Sequence, residues 1–268
     1  MIPKEIEEIV GEFVQLCANG FASRWDSLPV ELYISEAYEV VGGLMSRQAT
    51  LAIELALTPP MWSRHIAPLI LRSMTDAHIT LAWILGDFET RAKEYISYSI
   101  GQEKLAFEHL EVEHEKNKDE RIAKLIEMKK NWVNSQRKDW FVEVNVGSWS
   151  GASTRKMAKE SDCEGLYKFA YAPFSSVAHN MWSHISLYNL ETCSNPLHKF
   201  HRVPTIKDAL LDVDYVYRAS RYVSRSFQSV DEHFDLDMET ELPVEFMERK
   251  LDEYYSTVND NSQSGKSA

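Results

Sequence analysis

Arg72 and Asp76 stand four residues apart in the most apolar stretch of the chain, LILRSMTDAHITLAWIL. At about 100° per residue they share one helix face within pairing distance. Desolvating an ion pair costs more than its attraction often returns, so a pair placed here either clamps two helices together or serves a site. About a hundred residues later comes YKFAYAPFSSVAHNMWSHI, in which Tyr171, Ser175 and His179 recur every four residues. Histidine is the natural acid–base group near neutral pH, and a serine one turn away can orient it or contact a substrate. Pro173 stands between Tyr171 and Ser175 and is expected to swing the tyrosine away. The bland alternative is a buried histidine satisfied by a neighbour.

Other polar groups carry weaker signals. Arg218, Arg221 and Arg225 form a basic stripe at helical spacing, with Tyr215 and Tyr222 nearby. Arginines beside aromatics suit phosphate or single-stranded nucleic acid. In so acidic a chain the competing expectation is salt bridging to acidic helices. Glu111 and His114 have the E-x-x-H spacing of di-iron bundles, but no second such motif accompanies them. His198 and His201 lie in a loop with no paired Cys or His motif, so neither a metal nor a cofactor is expected. The chain has no P-loop, G-x-G-x-x-G, G-x-S-x-G or H-E-x-x-H pattern.

The elements that must position these groups read as helices throughout. Expected spans are Pro3 to Ala18 with Gly20 beyond its end, Pro29 to Leu57, and Trp62 to Leu85. Gly42 and Gly43 mark a kink or a close crossing in the second. A charged stretch from Asp87 to Asp139 reads as a projecting hairpin turning at Asn117-Lys118-Asp119. Gly147 to Gly151 is a loop and Thr154 to Glu160 a short helix. Further helices are expected over Cys163 to Thr192, Thr205 to Phe234 and Pro243 to Thr257. The polar tail 258–268 is expected to be disordered. No run alternates long enough for a sheet. The expected fold is all-α, a multi-helix bundle within one domain over residues 1–257.

Composition agrees. Ten glycines in 268 residues favour long helices over a turn-rich β protein. Lys and Arg number 29 against 41 Asp and Glu, a net charge of −12 that repels nucleic acid and anionic membrane at long range without excluding a local basic groove. Three scattered cysteines read as reduced thiols of a cytoplasmic protein. Charges in the most apolar segment argue against a membrane span.

The two motifs resemble a bacterial helical family, domain of unknown function 5677. Its pattern is R-x-x-x-E on one apolar helix and Y-x-x-x-S-x-x-x-H on a later one, matched over about Trp62 to Leu190 with Asp76 in the glutamate position. The resemblance extends distantly to HEPN-type proteins, helical toxin or anti-phage ribonucleases that carry R-x(4–6)-H and pair two subunits. Arg72 and His78 satisfy that spacing, although six residues set them about 120° apart around a helix. The resemblance implies a metal-independent ribonuclease-like defence effector. In it Arg72, Asp76, Ser175 and His179 are catalytic, and Tyr171, His78, Arg218, Arg221 and Arg225 bind substrate. RNA is its expected partner, and a homodimer is compatible with it. Two alternatives stay open: a non-enzymatic interaction or sensor module whose contact arm is the 87–139 hairpin, and a small-molecule-binding bundle.

Overall fold

The amphipathic pattern resolves into eleven α-helical segments and one short hairpin in a computed structural model, which describes residues 2–135, 148–208 and 210–264. The order is α1 (Lys4–Ser27), α2 (Ser35–Ala56), α3 (Ala67–Leu85), α4 (Phe88–Asn117), α5 (Glu120–Ser135), α6 (Thr154–Glu160), α7 (Glu164–Leu166), α8 (Ala172–Ala178), α9 (Trp182–Tyr188), β1 (Leu190–Thr192), β2 (Arg202–Pro204), α10 (Asp214–Phe234) and α11 (Pro243–Ser264). A π turn, Tyr167–Tyr171, joins α7 to α8. Among the described residues no helix is long and apolar enough to cross a membrane.

Helix α10 sits at the centre, against α1, α2, α3 and α11. Its strong amphipathicity explains this: Val216, Ala219, Val223, Phe227 and Val230 are fully buried, and the arginines lie opposite. Helix α3 is its main neighbour and is buried on most sides, as its composition requires. Helices α4 and α5 form the long antiparallel hairpin, turning where Lys118 adopts a left-handed conformation (φ 51°). Its expected last residues, 136–139, lie outside the described residues, as do Gly147 and 265–268.

Several boundaries differ from expectation. Helix α1 runs through Gly20 instead of stopping before it, because α10 passes so close that an added Cβ would stand 3.0 Å from the Phe227 ring. Gly42 marks a close crossing, since the Trp25 ring lies 2.3 Å from where its Cβ would be. Residues 205–208 and 210–213 are not helical. The Asp212 N–H is tied to the Trp62 carbonyl at 2.9 Å, and α10 begins only at Asp214. The tail is helical to Ser264, seven residues beyond the expected end: no proline or glycine interrupts propagation before Gly265. Leu190 to Thr192 is a strand rather than the end of a helix, paired antiparallel with Arg202 to Pro204.

Arg24 is 1% exposed and grips Asp231 of α10 in bidentate fashion, Nε to Oδ1 at 2.8 Å and Nη2 to Oδ2 at 2.7 Å. Its third nitrogen donates to the Gly20 carbonyl, and its plane lies over Phe227 at 4.4 Å. Removing one partner of such a pair leaves an uncompensated buried charge. Asp231→Ala is therefore expected to lower unfolding free energy by about 3–5 kcal/mol in urea titrations. A loss below about 1 kcal/mol would show the pair to be incidental.

Candidate functional site

The two sequence motifs meet where α3 packs on α8. Arg72 Nε donates to Ser175 Oγ at 2.8 Å, and the Ser175 hydroxyl donates to the Tyr171 carbonyl at 2.8 Å. The Arg72 guanidinium lies 3.3 Å from the centre of the Tyr171 ring, and its Nη1 is 3.6 Å from Asp76 Oδ1. One face, Nε and Nη1 are thus engaged, while Nη2 has no hydrogen-bond partner among the described residues. Arg72 is mostly buried, at 18% side-chain exposure, whereas the Asp76 carboxylate is half exposed at 48%. Burial raises the Asp76 pKa, and the Arg72 charge opposes that rise. Tyr95 of α4 borders the site, its own pKa raised by burial and by the Asp76 charge.

Pro173 does not swing Tyr171 away. It occupies the first turn of α8, where its missing N–H is least costly, and the preceding π turn carries the chain into it without a break. Tyr171 also stacks on Tyr167 at 4.9 Å, and its hydroxyl reaches Thr154 Oγ1 at 3.4 Å.

His179 ends α8, its N–H bonded to the Ser175 carbonyl at 2.9 Å, and its imidazole is exposed. No hydrogen bond or ion pair joins its imidazole to Arg72, Asp76 or Ser175 among the described residues. Ser175 orients Arg72, not His179. His78 is not beside Arg72 either. It is 4% exposed in the core, its Nδ1 3.0 Å from Ser226 Oγ of α10. Gln48 of α2 joins the same node, its Nε2 donating to Ser226 Oγ at 3.0 Å and to the Met74 carbonyl at 2.8 Å.

The α10 arginines form a separate feature. Arg218, Arg221, Arg225 and Tyr222 line a cleft of about 390 Å³ closed on its other side by Leu166 and Phe169. Salt bridging accounts for only one of them: Arg218 binds Asp214 at 2.6 Å, while Arg221 and Arg225 form no ion pair among the described residues. Asp162 is the acidic residue in the wall. Tyr222 is buried except at the cleft, where its hydroxyl has no hydrogen-bond partner among the described residues. Burial raises its pKa, and the three arginine charges oppose the rise, which places all three near the phenol. Phe169, at 82% exposure, supplies a free aromatic face at the rim. Phe169 carried no signal in sequence, because an exposed aromatic inside a helical run looks like any other apolar position. Glu111 and His114 belong to the α4–α5 hairpin: Glu111 pairs with Lys130, and His114 Nδ1 lies 2.9 Å from the Asp119 carbonyl.

A model described as a family of unknown function (DUF5677) matches residues 38–195, more than half of the chain. That span holds Arg72, Asp76, Tyr171, Ser175 and His179, and the chain belongs to this family. No curated protein and no solved structure matches it.

Two measurements probe these contacts. Ser175→Ala removes the acceptor from Arg72 Nε and is expected to cost about 1–3 kcal/mol of unfolding free energy; an unchanged value would mean that the bond contributes nothing to packing. Burial, and then the Arg225 charge, push the His78 pKa from 6.5 down to about 4, so the fold holds this ring neutral. The unfolded chain takes up a proton there near 6.5 and the folded chain only near 4. The contribution of His78 is therefore complete above about pH 6.5 and is lost as pH falls towards 4, by about 3 kcal/mol at most. Wild type should lose stability more steeply than His78→Gln across that window. Parallel curves would place the acid sensitivity in other groups.

Proposed function

We propose that this protein is a metal-independent ribonuclease-like effector acting in stress or anti-phage defence. The observation that carries the reading is Arg72, fixed by Ser175, Asp76 and Tyr171 at the junction of the two motif helices, with Nη2 unpartnered among the described residues. A guanidinium held in advance, with a free donor, suits charge that develops on a phosphorane. His179 is exposed one turn beyond Ser175, where a ribose 2′-hydroxyl can reach it. In the reaction His179 takes the 2′-hydroxyl proton as the 2′-oxygen bonds to phosphorus. The bond to the 5′-oxygen breaks, and that oxygen takes a proton from water while His179 returns its own to solvent. The products are a 2′,3′-cyclic phosphate and a 5′-hydroxyl. Asp76 holds Arg72 and does not touch substrate in this scheme. The arginine cleft supplies the cationic and aromatic surface that single-stranded RNA needs, with Arg221, Arg225 and Tyr222 on phosphate and Phe169 under a base. The distant likeness to HEPN-type proteins supports the same chemistry and a paired subunit.

The test follows growth and RNA integrity on expression of wild type and His179→Ala, and end-group analysis of RNA treated with purified protein in chelator. Wild type should arrest growth and leave cyclic phosphate ends. His179→Ala, folded by circular dichroism, should lose at least about 100-fold of the cleavage rate. Intact RNA with both proteins would remove this reading.

A non-enzymatic interaction module would then take its place. It is favoured by Val112 of α4 and by Leu125 and Met128 of α5, apolar side chains exposed on the charged hairpin.

A further inference from the structure

The β1–β2 connection brings together three side chains that the sequence keeps apart: Cys193, His198 and His201. One ligand atom from each lies within 4.8 Å of the others. We propose that this cluster is a zinc site, independent of the α3–α8 junction and of any reaction there.

The geometry fits the ion. With Zn–S about 2.3 Å and Zn–N about 2.0–2.1 Å, two tetrahedral ligands stand about 3.5–3.6 Å apart. Cys193 Sγ lies 3.6 Å from His198 Nδ1. The two imidazoles meet edge to face, ring centres 5.4 Å apart, so both can turn a nitrogen to one point. The backbone holds the ends of the loop in register: the Cys193 N–H donates to the His201 carbonyl at 3.0 Å, and the His201 N–H donates to the His198 carbonyl at 3.1 Å. Both histidines are exposed and Cys193 is half-buried, so closing the remaining gap asks only for side-chain rotation. One thiolate and two imidazoles form a borderline-soft donor set, which suits Zn²⁺ and rejects Mg²⁺ and Ca²⁺. Three protein ligands leave a fourth position for water.

Binding has a defined proton balance. The Cys193 thiol releases one proton per ion. The His198 ring keeps its hydrogen on Nε2 while Nδ1 takes the metal. Asn195 Nδ2 now lies 3.2 Å from Nε2, and Asn195 Oδ1 accepts from the Leu197 N–H at 3.0 Å. The amide must therefore rotate to present its carbonyl to Nε2–H, giving up the Leu197 bond and becoming the group that orients the metal ligand. Cys17 and Cys163 cannot substitute for Cys193: both are buried, and burial raises their thiol pKa.

Cobalt(II) titration of the full chain tests this, because a thiolate ligand gives an intense near-ultraviolet charge-transfer band and tetrahedral geometry gives strong visible bands. Wild type is expected to saturate at one equivalent, with both features erased by added Zn²⁺. Cys193→Ser should abolish the charge-transfer band, and His198→Ala and His201→Ala should each weaken binding at least about tenfold. Far-ultraviolet circular dichroism should stay unchanged in all three, since the loop is exposed. Absence of the band in wild type, or its persistence at wild-type affinity in both histidine variants, overturns the site.

Discussion

Burying the Arg24 charge is the constraint on which the bundle is built. A guanidinium at 1% exposure needs its donors matched, and the match comes from Asp231, more than two hundred residues away. That ties the first helix to α10 in one register. It also explains why α1 lies so close that Gly20 meets the Phe227 ring, and why Phe227 lies under the arginine plane. Three more polar links converge on the same helix: Gln48 and His78 on Ser226, and the Val244 N–H on Ser224 Oγ at 2.9 Å. Helices α1, α2, α3 and α11 are each joined to α10 by a directional bond as well as by apolar contact. Apolar packing alone tolerates sliding; a buried donor with a single acceptor does not.

Fixing α10 decides what its other face can do. With Val216, Ala219, Val223 and Phe227 turned inward, Arg218, Arg221 and Arg225 must face outward beside the π turn. The rest of the chain carries the acidic excess, and Asp214 neutralises one of the three. Among the described residues two cations therefore remain without an ion-pair partner in a strongly acidic protein. Selection for stability alone gains little from that arrangement, and it is the electrostatic reason for proposing that the cleft holds a ligand.

The sequence made the helices legible wherever one face dominated, as in α3 and α10, and it placed the hairpin turn at Lys118. It misread positions whose role depends on a distant neighbour. Gly20 looks like a helix end until Phe227 is seen against it. His78 looks like a companion of Arg72 until Ser226 is seen to hold it on the far face. The same limit hid Cys193 as a companion of His198 and His201, because pairing of β1 with β2, over strands of three residues, is what returns His201 to Cys193. The spacing of Arg72 with Asp76 and of Ser175 with His179 was legible because it is local on each helix, whereas the place of Tyr171 was misread, since Pro173 was expected to swing it away. Only the meeting of the two helices required the fold. His179 was legible as a residue but not as a contact: its imidazole projects outward.

The π turn at Tyr167–Tyr171 reconciles these demands. One extra residue in a helical turn rotates everything beyond it by about 100°. Leu166 before it and Phe169 within it look towards the α10 arginines; Tyr171 at its end and Ser175 beyond it close on Arg72. A regular helix through Pro173 would leave one of the two faces out of reach, and its proline would strip a carbonyl of its donor. The Ser175 hydroxyl also donates to the Tyr171 carbonyl, so the residue that holds Arg72 is itself tied to the last residue of the π turn. The irregular turn is thus stabilised by the contact it makes possible, and the arginine cleft and the Arg72 site share one structural hinge point without sharing a side chain.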